Sequence, residues 1–301
     1  MKINLGMNLL YAAKRWIEPD VWGQQIGQRW GLKYAQFCFD LLDPRATEAS
    51  KIEYSLEVKK ASKKYNFEMH SCLTGSATFW YLLLMHPFSE GRKDAWHWCE
   101  LAAETSELLG AQSLGGPIAA ASVVDYANPD RFNFLMEEFV KGMQHFAKHA
   151  ASHNQKFIFF EPSTLGREGL VHLDQAKRLF DRFNNDSSIP IYLMLDVGHQ
   201  CGIEAQGKDR DPYKWLEEYG QLSPIVHIQQ TDGEADHHWS FTKEHNAQGI
   251  IKFDKVLNSL EKSGLKEVWI FPEFFYGTDI DDSKLLDEID ESFEYIKGYI
   301  K

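Results

Sequence analysis

The chain has 301 residues, 44% of them hydrophobic and 14% aromatic, which is enough for one large α/β domain or two ordinary ones. Its formal net charge of −12 repels phosphate backbones and argues against a general nucleic-acid binder. No apolar run reaches the roughly 18 residues that a membrane-spanning helix needs, so we expect a small-molecule site and no contact with a membrane.

Short apolar runs alternate with longer amphipathic segments along the whole chain. The apolar runs predict eight strands, at residues 3–9, 34–39, 67–71, 112–115, 157–160, 191–195, 225–229 and 268–271. The amphipathic segments predict helices at residues 19–30, 49–65, 91–109, 129–153, 173–183, 212–219, 253–262 and 282–300. Asn128 and Asp211 each precede a proline, which marks a helix start, and Gly110 and Gly264 mark helix ends.

Eight strands, each followed by a helix, predict a closed (β/α)8 TIM barrel, with a doubly wound open sheet as the alternative. No linker rich in Pro, Gly or Ser interrupts the chain, so we expect a single domain over residues 1–301. Polar residues at the C-terminal ends of the runs favour the barrel, because these ends converge on one mouth. They are Asn8, Asp40, His70, Glu161, Asp196, His227 and Glu273.

Four of these residues, Glu161, Asp196, His227 and Glu273, belong to four successive predicted strands. Three carboxylates at one low-dielectric mouth repel one another unless a cation lies among them. The oxygen-rich set with one imidazole suits Mn²⁺, Mg²⁺ or Co²⁺ better than structural zinc, although zinc stays an option. Each residue alone has a structural alternative, as a helix cap or an ion-pair partner. As a set they predict one divalent metal ion.

The same residues carry a family resemblance that covers essentially the whole chain. Glu-Pro at 161–162, Asp-x-Gly-His at 196–199, His227 and Pro-Glu at 272–273 resemble the xylose isomerase-like TIM barrels, a superfamily of sugar and sugar-phosphate isomerases and epimerases. Further segments look closer to its branch of tetrulose-phosphate (erythrulose phosphate) epimerases. They are Ala-Lys-Arg-Trp at 13–16, Gln-Phe-Cys-Phe-Asp-Leu-Leu-Asp-Pro at 36–44, Gln-Gln-Thr-Asp-Gly at 229–233 and His-His-Trp-Ser-Phe-Thr at 237–242.

The resemblance implies that Glu161, Asp196, His227 and Glu273 hold the metal, and that the two glutamates also act as the catalytic acid and base on opposite faces of the substrate. Epimerisation beside a ketone needs such a pair, since one group removes a proton from carbon and another returns one. His199 resembles the family histidine that hydrogen-bonds substrate oxygens. Its alternative role is to orient a metal ligand.

The chain departs from the hexulose 3-epimerase pattern at Gly233, where those enzymes place an arginine. The departure argues against a hexulose and directs attention to other basic groups, which could clamp a phosphate or lie on a solvated surface: Lys14, Arg15, Arg167, His237, His238 and Lys243. Three more side chains are candidates for substrate contact: His70 at the predicted tip of strand three, Asp232, and Trp239 as a wall or lid of the mouth. A structural role is the alternative for His70.

The sequence thus predicts a divalent-metal-dependent epimerase or aldose-ketose isomerase of a small ketose or its phosphate, working through a cis-enediolate. A hydrolase of the endonuclease IV type is a second hypothesis, favoured by Asp236-x-His238 and opposed by the acidic total and the lack of extra histidines for three zinc ions. A non-catalytic sugar-binding barrel is the third.

The four cysteines show no CxxC pairing and the N-terminus opens on a strand, so we expect a cytoplasmic location. Apolar outer helices predict a homo-oligomer.

Overall fold

The structure is a computed structural model that describes residues 1–81 and 83–300. Eight parallel strands close into a barrel in sequence order, with β1 pairing β8. The predicted TIM barrel is therefore confirmed, and the open-sheet alternative is excluded. The strands are β1 Lys2–Asn8, β2 Tyr34–Cys38, β3 Glu68–Leu73, β4 Ser113–Gly116, β5 Phe157–Phe160, β6 Ile191–Asp196, β7 Ile225–Ile228 and β8 Glu267–Pro272.

Helices surround the barrel and follow the predicted segments, although the first predicted helix is α-helical only to Gln24 and continues as a π-helix over Gln25–Arg29. The described residues form α1 Pro19–Gln24, α2 Glu48–Tyr65, α3 Ser76–Tyr81, α4 Ser89–Leu109, α5 Val123–Tyr126, α6 Pro129–Ser152, α7 Leu173–Asn184, α8 Pro212–Tyr219, α9 Lys243–Gln248, α10 Phe253–Lys262 and α11 Asp282–Lys297. The short helices α3, α5 and α9 lie in loops and were not predicted. No helix in this part of the chain is long and apolar enough to cross a membrane.

The predicted helix boundaries have the expected local causes. The side chains of Asn128 and Asp211 accept hydrogen bonds from the first backbone N–H groups of α6 and α8. Gly110 ends α4 with φ 82° and Gly264 follows α10 with φ 86°, a left-handed conformation that glycine adopts without steric cost. The two N-caps fix where α6 and α8 begin, and so where the loops that precede them at the mouth end.

Two apolar cores hold the barrel. The larger one packs the outer helices against the strands, and a smaller one fills the barrel interior with inward-facing side chains, namely Leu73, Phe159, Met194, Ile225 and Phe271. His70 is stacked on the Trp269 ring in this interior, with ring centroids 4.7 Å apart. Because the interior is packed, ligands have access only from the mouth at the C-terminal ends of the strands.

Candidate active site and metal centre

The ends of β5 to β8 bring four ionisable side chains together. Glu161, Asp196, His227 and Glu273 each offer one ligand atom, and these atoms all lie within 4.8 Å of one another. The His227 Nδ1 atom lies 3.0 Å from Glu273 Oε2, 3.2 Å from Glu161 Oε1 and 4.0 Å from Asp196 Oδ2. The structure thus places the four residues that the sequence predicts as a metal set around one point.

Burial makes it costly in free energy for the carboxylates of this cluster to carry their charge. All four residues are at most 5% exposed, and Glu161 Oε1 and Asp196 Oδ2 are buried with no hydrogen-bond partner among the described residues. Burial and the neighbouring Glu273 carboxylate raise the pKa of Glu161 although the His227 imidazole opposes them. Burial opposes charge on Glu273 too, but the imidazoles of His227, His238 and His199 lower its pKa to about 2. Unpaired buried carboxylate oxygens at this separation call for a cation between them.

A chain of hydrogen bonds fixes which nitrogen of His227 faces the carboxylates. The Leu10 backbone N–H donates to Asn8 Oδ1, so the Asn8 Nδ2 group is the one that donates to Gln36 Oε1, at 2.7 Å. Gln36 Oε1 therefore accepts from His227 Nε2–H, at 2.6 Å. The Nδ1 atom is left with its lone pair toward three carboxylates, the tautomer that a metal ligand needs. Sequence reasoning noted Asn8 but missed the role of Gln36, whose only signal is an amide inside an apolar strand.

A second group of side chains adjoins the first. His199 Nε2 and His238 Nε2 lie 3.5 Å and 3.3 Å from Asp236 Oδ2. Burial opposes protonation of His199, but the carboxylates of Asp196, Asp236 and Glu161 raise its pKa to about 9. His199 Nδ1 lies 2.9 Å from the Pro162 carbonyl oxygen, which fixes the ring so that Nε2 faces Asp236. His199 thus belongs to this second group and is not one of the four clustered residues.

The buried Gln229 side chain connects the two groups. Sequence reasoning missed this role. Its Nε2 atom donates to Asp196 Oδ1 at 3.0 Å and to Asp236 Oδ1 at 2.7 Å. Its Oε1 atom accepts from the His238 backbone N–H at 2.5 Å, where the backbone has φ 50°. One amide thereby sets the positions of Asp196 and of the loop that carries Asp236 and His238.

A cavity of about 100 Å³ lies directly on the cluster, and its lining includes Glu161, His199, His238 and Glu273. It shares Leu10, Ser76 and Phe275 with a neighbouring cavity of about 290 Å³. Two predicted substrate-binding residues, Lys14 and Arg15, line this outer cavity. Arg15 is held there by hydrogen bonds to Asp282 and to the Gly277 carbonyl oxygen. The two cavities together form a path from the clustered carboxylates to Lys14 and Arg15, which line the outer cavity together with Asp40.

The other predicted substrate contacts are not brought to this path. Arg167 lines neither cavity. Trp239 is stacked between the rings of His237 and His245, with centroid distances of 3.8 Å and 5.1 Å, and Asp232 is hydrogen-bonded to His237 beside it. His70 does not reach the inner cavity because β3 ends at Leu73 and not at residue 71. Leu73 therefore lines the cavity, and His70 lies deeper in the barrel.

The four clustered residues fit a divalent ion by their own chemistry. Three carboxylates and one imidazole nitrogen give an oxygen-rich donor set, and the two unpartnered oxygens, on Glu161 and Asp196, need a positive partner. A proton on His227 Nδ1 is the other cation that the position accommodates, because Glu273 and Glu161 outweigh burial and raise the pKa of His227 well above its ordinary value. A metal ion satisfies all three carboxylates, whereas a proton pairs with only one of them at a time.

Comparison with known proteins adds to this geometry. A family model described as the xylose isomerase-like TIM barrel matches residues 25–299. A D-erythrulose 1-phosphate 3-epimerase from Brucella abortus (strain 2308) is 25% identical over 305 residues, which cover 100% of this chain and 97% of that protein.

Solved structures share the whole barrel. A crystal structure provisionally described as a xylose isomerase, from Rhodospirillum rubrum, has a TM-score of 0.91 and 26% identity, and the match covers 98% of this chain and 99% of that chain. The D-psicose 3-epimerase of Clostridium cellulolyticum H10, crystallised with D-tagatose, has a TM-score of 0.71 and 14% identity, with 99% of each chain covered.

Proposed function

The chain belongs to the xylose isomerase-like TIM-barrel family, and on that premise we propose that it is a divalent-metal-dependent epimerase of a small ketose phosphate, with a tetrulose phosphate as the favoured substrate. The observation that supports this most directly is the buried convergence of Glu161, Asp196, His227 and Glu273 on one point. These four residues hold the ion, with Mn²⁺, Mg²⁺ or Co²⁺ favoured over Zn²⁺. When bound, the ion supplies Lewis-acid stabilisation of the negative charge that develops on substrate oxygens.

Glu161 and Glu273 move the protons. Glu161 Oε1 and Glu273 Oε2 lie beside His227 Nδ1, so the second oxygen of each carboxylate is available for proton transfer. Both residues also line the inner cavity, from β5 and β8. One carboxylate takes the proton from the carbon next to the ketone, and the other, in its acid form, returns a proton to the opposite face. The result is inversion at that carbon through an enediolate.

His199 positions the reacting end of the substrate. Its Nδ1 atom is tied to the Pro162 carbonyl and its ring lines the cavity beside Glu161, so its Nε2–H group, which faces Asp236 Oδ2 across 3.5 Å, is the group that we assign to a substrate oxygen. Asp236 and His238 share this wall of the cavity. Within such a pre-organised wall, a hydrogen-bond donor stabilises developing charge more effectively than water does.

Three features favour a short, phosphorylated ketose. The inner cavity of about 100 Å³ is small, and it opens toward Lys14 and Arg15. Position 233 is glycine, where hexulose 3-epimerases carry an arginine. A relative that matches the full length of the chain is a D-erythrulose 1-phosphate 3-epimerase. A substrate of this kind places its ketone on the inner cavity and its phosphate toward Lys14, as a point charge, and Arg15.

Isotope exchange tests the activity. Incubated with D-erythrulose 1-phosphate and Mn²⁺ in D₂O, the enzyme is expected to bring deuterium into the carbon next to the carbonyl, detected by NMR. Glu273→Gln removes one of the two proton carriers and is expected to abolish inversion, while Glu53→Gln on the exposed face of α2 provides the matched control. Full exchange and inversion in Glu273→Gln would overturn the assignment of the acid and base.

A metal-dependent hydrolase of the endonuclease IV type stays as the second candidate, because His199, Asp236 and His238 form a second three-residue ligand group beside the first. In the described part of the chain, the histidines of these two groups are His199, His227 and His238. A cluster of three zinc ions needs more histidines than these three. This shortage and the net charge of −12, which repels a DNA backbone, favour the epimerase. Metal-dependent cleavage of a duplex that carries an abasic site would reverse the preference.

We extend the proposal to location and assembly. All four cysteines are free, and Cys38, Cys72 and Cys99 are buried, which agrees with a cytoplasmic protein with reduced thiols. Large apolar side chains are exposed near the mouth, with Trp80 and Val124 both at 80%, which favours association with a second copy. Light scattering on the purified protein measures the oligomeric state directly, and a monomer at all concentrations would refute this part.

A further inference from the structure

A separate group of metal-type side chains lies on the outside of the barrel, between α4 and α6. Glu104 of α4, His149 of α6 and His153 directly after α6 each offer a ligand atom, and these atoms lie within 4.8 Å of one another. His149 and His153 are four residues apart, so one helical turn places both imidazoles on the same face. Their ring centroids are 4.7 Å apart.

The group contains an unsatisfied nitrogen. His149 Nε2 is buried and has no hydrogen-bond partner among the described residues, although the side chain as a whole is 25% exposed. Its nearest acidic atom, Glu104 Oε1, lies at 3.8 Å, which is too far for a hydrogen bond. Leaving a buried imidazole nitrogen unpaired costs free energy, so this position favours a partner that can bind nitrogen and carboxylate together.

A fourth side chain orients the second histidine. His153 Nδ1 lies 2.8 Å from Glu107 Oε2, and the Asn154 side chain donates to the other oxygen of the same carboxylate. With its Nδ1–H donated to Glu107, the neutral His153 ring carries its lone pair on Nε2. A histidine that donates one N–H to a carboxylate and keeps the other nitrogen free is the usual arrangement of a metal-bound imidazole.

From this geometry we propose that Glu104, His149 and His153 bind a divalent transition-metal ion of the zinc class, which ties α4 to α6. Two imidazoles and one carboxylate are a nitrogen-rich set that suits Zn²⁺, Ni²⁺ or Cu²⁺, in contrast to the oxygen-rich set at the mouth. Bonds of about 2.0–2.2 Å require these partly exposed side chains to close by about an ångström, which rotation about their χ angles supplies. Three protein ligands leave the fourth position of a tetrahedral ion for a water molecule.

Calorimetric titration of the metal-free, full-length protein with Zn²⁺ tests the site, and the visible absorption of bound Co²⁺ reports its coordination. The wild type is expected to bind one ion more per chain than His149→Ala or Glu104→Gln, and the Co²⁺ spectrum of the outer ion is expected to disappear in both variants. His145→Ala, one turn earlier on α6 and exposed, is the matched control and is expected to keep the wild-type stoichiometry. Circular dichroism without metal shows that each variant folds.

Removal of the orienting carboxylate gives an independent measurement. Glu107→Leu keeps all three ligands, so it is expected to weaken the binding of the ion at Glu104, His149 and His153 about tenfold or more without abolishing it. Zn²⁺ is likewise expected to raise the melting temperature of the wild type more than that of His149→Ala, because binding to the folded state alone stabilises it. Equal stoichiometry in the wild type and His149→Ala would overturn the proposal, and a buried water would then be the partner of His149 Nε2.

Discussion

Gln36 Oε1 lies 2.6 Å from His227 Nε2, and this hydrogen bond joins β2 to β7 through the interior of the barrel. Since Asn8 Nδ2 donates to the same oxygen, Gln36 has no freedom to reverse its amide. The pair therefore determines that His227 presents Nδ1 to Glu161, Asp196 and Glu273. A positioning residue of this kind acts on metal binding before any substrate is present.

Replacement of Gln36 tests this relationship. Gln36→Leu removes the acceptor and is expected to weaken Mn²⁺ binding at the mouth by about 10–100-fold, because His227 loses the partner that selects its tautomer. Gln36→Glu keeps an acceptor oxygen at the same place and is expected to bind Mn²⁺ much more tightly than Gln36→Leu. Titration of the metal-free protein measures both affinities. Unchanged affinity in Gln36→Leu would show that metal binding does not depend on this hydrogen bond.

A second prediction concerns Gly198 in the Asp-x-Gly-His segment. A Cβ atom at this position would collide with the Gln229 amide, which holds Asp196, Asp236 and the His238 backbone. Gly198→Ala is therefore expected to displace Gln229 and to lower kcat at least about tenfold, with a weaker metal site. Gly298→Ala, after α11 with φ −59°, is the control and is expected to be near neutral. Wild-type kcat and Mn²⁺ affinity in Gly198→Ala would contradict the role of Gln229.

A third prediction follows from the largely buried ring of His70, which is partly exposed to solvent. Burial is the main cause that lowers its pKa to about 4, so the folded chain keeps the ring neutral where the unfolded chain protonates it. The contribution of His70 to the free energy of unfolding is complete well above pH 6.5 and falls as the pH drops toward 4, because the unfolded state binds the extra proton. Between about pH 7.5 and about pH 5 the free energy of unfolding decreases by about 2 kcal/mol from this cause.

His70→Phe keeps the stack on Trp269 and removes the titration, so its loss of stability over this pH range is expected to be smaller by that amount. Urea unfolding at the two pH values measures the difference, and His145→Gln, an exposed histidine, is the control. The same variant also tests the original substrate assignment. An unchanged KM is expected, because His70 lies below Leu73 in the barrel; a large rise in KM would restore His70 to the substrate site.

The sequence predicted those features that depend on neighbours along the chain. Each strand appears as an apolar run, and Glu161, Asp196 and Glu273 appear as carboxylates where such runs stop. The partners across the barrel could not be predicted, since Gln36 and His227 are separated by 191 positions and a lone amide in a strand has many structural roles. His70 was misplaced because Cys72 and Leu73 extend β3 beyond the predicted end. Trp239, predicted as a wall or lid of the mouth, is stacked between two histidines and lines neither of the two cavities.

The last prediction separates two of the basic side chains that the sequence offered for a phosphate, Lys14 and Arg167. Lys14, with φ 60°, lines the outer cavity that joins the inner one, whereas Arg167 lines neither. Lys14→Gln is expected to raise KM for a ketose phosphate about tenfold with a smaller effect on kcat, because a lost charge contact of about 1.4 kcal/mol weakens ground-state and transition-state binding alike. The unphosphorylated ketose is expected to show no such change. Arg167→Gln is the matched control and should leave KM unaltered. If Arg167→Gln raised KM and Lys14→Gln did not, the phosphate would have to enter on the β5 side of the mouth, and the substrate orientation proposed above would be reversed.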